Sequence, residues 1–180
     1  MNRLSIRLGF WSSILMATSF IVYTIAFVAI LSFFRIPPWT GLSDFVASVN
    51  NTWYLFYTSC QLLAFLTPLL FVLVINSIHD YARNDKKILT RISICFAIVF
   101  AALSSINYFI QFSAVRLNIL HGQPEGVEQF IQLNPLAVIT AINILGWTLF
   151  LGLSSLFIVP IFSGSGLEKL IRLSFLINGV

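Results

Sequence analysis

Charge is what this sequence has least of. Of its 180 residues, 9% are Asp, Glu, Lys or Arg and 58% are hydrophobic. A soluble domain carries about 25% charged residues, so water cannot be the solvent for most of this surface. Cysteine is scarce as well. Cys60 and Cys95 both fall inside apolar runs and form no CxxC pair. They read as small buried apolar side chains and say nothing about redox compartment. Neither a P-loop nor a GxGxxG pattern occurs, so no nucleotide site is indicated. No Asp, Glu, Lys, Arg or His stands near the middle of an apolar run. Proton-coupled carriers place titrating groups at depth, and their lack argues against such transport. The two histidines, His79 and His121, lie outside the apolar runs on opposite sides, which leaves no facing pair to hold a haem. No cofactor is expected.

The net charge of +4 does not indicate nucleic acid. The basic residues sit in short segments between apolar runs, the pattern by which a membrane protein sets its orientation. The natural solvent of the chain is lipid. Its aromatics, 15% of the chain with 18 Phe, suit that solvent, since Phe tolerates hydrocarbon and Trp and Tyr favour the interface.

A spanning helix needs about 20 mostly apolar residues. Four segments qualify, at about 10–34, 54–76, 92–115 and 136–161. The runs are continuously apolar rather than alternating, and too long for barrel strands of about ten residues. Lipid also requires every backbone hydrogen bond to be met internally. The fold class is therefore all-α, a polytopic membrane helix bundle with 1–180 as one transmembrane domain. Arg3 and Arg7 precede the first run, whose length exceeds a signal peptide's core, so it reads as a retained span. Arg35 and Pro37-Pro38 are placed to end it. Trp39, Trp53 and Tyr54 bracket the following loop as headgroup-level aromatics. Asn134-Pro135 opens the fourth span. Leu173 to Val180 is apolar again. So short a run cannot cross about 30 Å of hydrocarbon. It reads as the beginning of a fifth helix truncated there, with a short interfacial tail as the alternative.

Eight basic residues (Arg3, Arg7, Arg83, Lys86, Lys87, Arg91, Lys169, Arg172) fall on one side and two, Arg35 and Arg116, on the other. The positive-inside rule places the N-terminus and the 77–91 loop in the cytoplasm and the loops 35–53 and 116–135 outside. The expected location is a bacterial cytoplasmic membrane.

The remaining signal is uncharged polarity at one depth. Gln61, Asn107, Gln111 and Asn143 lie about 6–12 Å below the outer boundary at 1.5 Å per residue. Ser104, Asn107 and Gln111 share one face of the third span, and Thr140, Asn143 and Trp147 one face of the fourth. Tyr57 and Gln61 pair at i, i+4 on the second. Gln61, Asn107, Gln111, Asn143, Tyr57 and Trp147 are the candidate ligand-binding residues, with Tyr108 beside them. Amides in lipid also bond to one another across helices, at about 0.6 kcal/mol on average, so the bland reading is packing. The segment holding Val127, Phe130, Ile131 and Leu133 reads as a short surface helix that could cover the cluster. Ala97, Ala101 and Ser105 form a small-residue packing seam.

Three functions remain open. The first is a non-catalytic helper, anchoring or structural subunit, whose partners are membrane lipids, another protein or a second copy of the chain. The second is a binding or transport protein with an outward-facing uncharged pocket. The third is a lipid-modifying enzyme using His79 and Asp80.

Overall fold

The computed structural model describes residues 3–34, 39–49 and 52–180. All regular elements among them are helical. Arg35, Pro37 and Pro38, expected to close the first span, lie outside the described residues. The first span is α1, Arg3–Phe34, followed by the short α2, Leu42–Val49, and the second span α3, Thr52–Tyr81. The third span is α4, Lys87–Ile110, continued by a π-helical turn, Gln111–Val115, and α5, Arg116–Leu120. The fourth is α6, Val138–Leu145, a second π-helical turn, Gly146–Phe150, and α7, Leu151–Ile158. A last helix, α8, covers Leu167–Gly179. Four stretches are long and apolar enough to cross a bilayer: Arg3–Ile30, Trp53–Tyr81, Asn84–Leu120 and Val138–Ile161. The chain is an all-α bundle of membrane-spanning type.

The helices run past the apolar boundaries that hydropathy marks. At the end of α3, Asn76 Nδ2 donates to Val72 O at 2.9 Å and Ser77 Oγ to Leu73 O at 3.0 Å. Polar side chains satisfied on their own helix give it no reason to stop there. The connection to α4 is consequently a turn around Arg83–Lys86 rather than a long loop.

Neighbours in sequence are neighbours in space. α1 packs along α3, α3 along α4, α4 along the fourth span and α7 along α8. Lipid supplies no hydrophobic drive between helices, so close approach and interhelical hydrogen bonds must hold them. Ser93 and Ser154 show both. Ser93 Oγ donates to Ser154 O at 2.8 Å, and Ser154 Oγ donates to Ser93 O at 2.9 Å, with both residues fully enclosed. Gly146 lets Ser104 approach, since a Cβ there would stand 3.3 Å from Ser104 Oγ. Of the expected seam, Ala97 and Ala101 are buried and Ser105 is half-buried. α8 runs back along α7: Phe175 stacks on Phe162, Asn178 Nδ2 donates to Ser155 Oγ at 2.7 Å, and Gly179 meets Gly152 backbone to backbone. At 13 residues, α8 is about 20 Å long.

One end of the bundle is basic. There Ser5 donates to Asp80, Lys86 Nζ to Pro160 O, and Tyr81 Oη to Glu168 Oε1 at 2.6 Å. These contacts join the ends of α1, α3 and α8 and the turns before α4 and after α7, an end that carries Arg3, Arg7, Lys86, Lys169 and Arg172. The opposite end holds an aromatic cluster of Phe45, Trp53, Tyr54 and Tyr57 with Ile30, Val115 and Ile131. Trp53 and Tyr54 are each only 4% exposed. They turn into this cluster, because α2 folds over them with Phe45 edge-on to Tyr54 at 5.9 Å.

Candidate functional site

The segment 121–137 turns back over the aromatic end. Gly122 and Gly126, at φ +69° and +81°, supply the two left-handed turns that reverse it. A single 3₁₀ turn, Glu128–Phe130, stands where a surface helix was expected. Val127 and Ile131 are buried in the cluster beneath, while Phe130 stays exposed. Their spacing of four is read inward by a compact turn, which leaves no helical face to lie on the surface. The segment secures its own backbone. Asn134 Nδ2 donates to Glu128 O, Leu136 N–H to Asn134 Oδ1, and Val138 N–H to Gln129 Oε1, all at 3.0–3.1 Å. Thr140 Oγ1 donates to Asn134 O at 2.9 Å.

This roof inserts Gln132 between the spans. Gln61 Nε2 donates to Gln132 Oε1 at 3.0 Å, and Tyr57 Oη reaches the same oxygen at 3.4 Å. From the third span, Gln111 clamps the roof's backbone. Its Nε2 donates to Phe130 O at 2.7 Å and its Oε1 accepts from Gln132 N–H at 3.0 Å. Gln111 is therefore satisfied, and its role is to hold the roof down.

Below the roof the amides are not satisfied. Gln61 is 1% exposed and Asn107 0%. Gln61 Oε1, both side-chain polar atoms of Asn107, Asn143 Oδ1, Trp147 Nε1 and Ser104 Oγ are enclosed and have no hydrogen-bond partner among the described residues. They belong together. Ser104 faces Gly146, and Asn107 and Asn143 each lie three residues further along the same two antiparallel helices. Tyr108 stands beside Trp147, Asn143 and Gln132, although no hydrogen bond aligns on Trp147 Nε1 or Asn143 Oδ1. Tyr23 of α1 packs against the aromatic cluster that includes Tyr57. The residues of this enclosed polar cluster, the amide chamber, are all uncharged.

Both π-helical turns border it. Asn107, Gln111 and Val115 are spaced by four and all buried. At 3.6 residues per turn such a series drifts off its face, and the wider i→i+5 turn at Gln111–Val115 holds it inward. The second wide turn carries Trp147. Such turns concentrate at functional sites.

Tyr57 and Gln61 thus meet at Gln132, Gln111 clamps the roof above, and Asn143 and Trp147 stand beside Tyr108; Asn107 lies one helical turn below Gln111. Gln132 and Tyr23 escape a reading of the sequence. Gln132 lies in a loop with two other glutamines, Gln123 and Gln129, and nothing local marks it as the one that points inward. His79 and Asp80 do not form a pair. His79 Nδ1 bonds Thr90 Oγ1 at 2.6 Å, while Asp80 accepts from Ser5. Thr90 Oγ1 donates to Lys87 O at 2.9 Å, so His79 is the donor to Thr90.

No protein-family model, curated protein or solved structure matches the chain.

Proposed function

We propose that this chain is a non-catalytic membrane protein that binds a small uncharged polar ligand in the chamber, admitted from the outer side past the 121–137 roof. The N-terminus and the basic end lie in the cytoplasm of a plasma-membrane protein, as the positive-inside rule requires. One observation carries the reading: Asn107 keeps both polar atoms of a fully enclosed side chain unpaired. An unmet polar group of this kind costs about 1–3 kcal/mol. Packing alone would have allowed Asn107 and Asn143 to bond to each other. A ligand with a donor and an acceptor meets Asn107, Asn143 and Gln61 together, and an ion is disfavoured because the chamber offers no countercharge.

The test is a thermal-shift measurement on the purified protein with urea, glycerol and glucose as probes. The reading expects at least one, at millimolar concentrations too low for general cosolvent effects, to stabilise the wild type and none to stabilise Asn107→Leu or Asn143→Leu. Equal shifts in wild type and variants, or no shift in any, reject it.

A second reading, an anchoring or structural subunit, is favoured by α1. Its spanning window is only 6% buried, against 33–44% in the other three. A helix so uncovered meets lipid, a partner protein or a second copy of the chain along most of its length. Crosslinking in native membranes separates these, with an adduct through α1 supporting the subunit reading and recovery of the uncrosslinked chain alone opposing it.

A further inference from the structure

A cavity opens beside the amide cluster and shares Trp147 with it. It is a cavity of about 510 Å³ between α1 and α8, within the range of ligand pockets, about 300–1,000 Å³. Met16 and Phe20 of α1 line one side, Phe71 and Phe100 the floor, and Trp147 and Phe175 the other side. α1 packs chiefly on α3 and α8 chiefly on α7, so the two helices that flank the cavity are the outermost of the bundle.

The wall is chemically hydrocarbon. Its polar members are Thr67, Ser174 and Asn178, and none carries charge. Thr67 Oγ1 donates to Leu63 O at 3.0 Å, Ser174 Oγ to Leu170 O at 3.1 Å, and Asn178 Nδ2 to Ser155 Oγ at 2.7 Å. Both hydroxyl protons are therefore already engaged within the protein. Only the Asn178 amide keeps a free acceptor and donor, so a polar ligand would lose most of its own hydrogen bonds here. At this depth the surrounding solvent is acyl chain. A space lined by aromatic rings, free of charge and bordered by lipid-facing helices fits one kind of occupant.

We infer that the cavity between α1 and α8 is a lipid site that takes one acyl chain of a bilayer phospholipid, inserted sideways from the hydrocarbon core. The chain lies against Phe71, Phe100 and Phe175, and the headgroup stays outside the bundle. Trp147 gives its ring to this cavity, while its unpaired Nε1 is enclosed beside Tyr108 in the amide chamber. The indole is thus the wall common to both spaces. The lipid site itself does not depend on the chamber's function.

The test is photolabelling of the full chain in phosphatidylcholine vesicles, with a phosphatidylcholine bearing a diazirine midway along one acyl chain. Phe71 and Phe100 are 5% and 1% exposed, so label on them requires a chain inside the bundle. Ile21 and Leu69, at 55% and 41%, report ordinary contact with bilayer lipid. The expected result is label on Phe71 or Phe100 as well as on Ile21 and Leu69. Ala17 also lines the cavity and is exposed. Ala17→Trp narrows the space, and shutting out as few as two methylenes lowers inner labelling about tenfold, while Ala17→Ser leaves it unchanged. Label confined to Ile21 and Leu69 in the wild type overturns the inference whether or not Ala17→Trp folds. Undiminished inner label in a folded Ala17→Trp, judged by circular dichroism, overturns it too. So does inner labelling by a diazirine free fatty acid but not by the phospholipid, since that assigns the site to another lipid.

Discussion

Replacing Asn107 by Leu stabilises the ligand-free protein, although it changes a fully enclosed residue. In most proteins a buried change of this kind is harmful. Here the side chain removed carries an unpaired donor and an unpaired acceptor, 0% exposed, in surroundings of low dielectric. Leu keeps the branching at Cγ, is the larger side chain so that some of the gain is offset by tighter packing, and leaves no partner behind, since no side-chain bond is broken. The gain is about 1–3 kcal/mol, the penalty of one unmet buried polar group. Gln111, one helical turn away, supplies the control. Gln111→Leu removes the donation to Phe130 O and strands the Gln132 N–H, so it destabilises by about 1–3 kcal/mol and loosens the roof. Two Asn/Gln→Leu changes a turn apart thus carry opposite signs. Melting curves in one detergent, followed by circular dichroism, read both. If Asn107→Leu destabilises as much as Gln111→Leu, Asn107 is paired in solution and the argument from unmet polarity fails.

Further outcomes follow from the same contacts. Ser93→Ala and Ser154→Ala each cost about 0.6–1.7 kcal/mol, and the double variant costs less than their sum because the two hydroxyls form one clasp; equal additivity in a double-mutant cycle would contradict this. A Cβ at Gly9 would stand 2.7 Å from Ser77 Cβ, so Gly9→Val overpacks the α1–α3 contact by about 1–3 kcal/mol; an unchanged melting temperature would refute the close approach. Glu168, bonded by Tyr81 and by the Gly164 N–H, is held below the usual carboxylate range chiefly by the Tyr81 hydrogen bond. A carboxylate lowered in the folded state lends stability above its unfolded pKa and loses it as pH falls through its folded pKa. Proteolysis in the 163–166 turn should therefore rise in acid below about pH 4.5, and Glu168→Gln should abolish that step. Single cysteines in a Cys60→Ala, Cys95→Ala background test orientation: Glu125→Cys should react with an impermeant maleimide from outside intact cells and Asn84→Cys should not, and the reverse pattern would invert the topology.

The helical bundle was legible because lipid leaves few options. Continuous apolar runs of spanning length, punctuated by basic residues, admit little but helices, and the depth of Gln61, Asn107 and Asn143 follows from counting residues. What escaped has a common cause. The inward turn of Trp53 and Tyr54 depends on α2 folding back, and the choice of Gln132 over its neighbouring glutamines depends on where the 121–137 turns place it. Both are tertiary outcomes with no local periodicity. The π-helical turns are likewise invisible to hydropathy, which does not distinguish a wide turn from an ordinary one; only the spacing of four from Asn107 through Gln111 to Val115 hints at the first. The Ser93–Ser154 clasp pairs two small polar residues that look alike on paper to others, such as Ser113 and Thr148, that merely bond back to their own helices.

The most direct test of the chamber is an experimental map of the protein in lipid nanodiscs, at a resolution that shows ordered water. The account predicts density that is not protein within hydrogen-bonding distance of Asn107 and of at least one of Asn143 and Gln61, beneath an ordered Gln132. A dry contact in which the Asn107 and Asn143 amides bond to each other would contradict it.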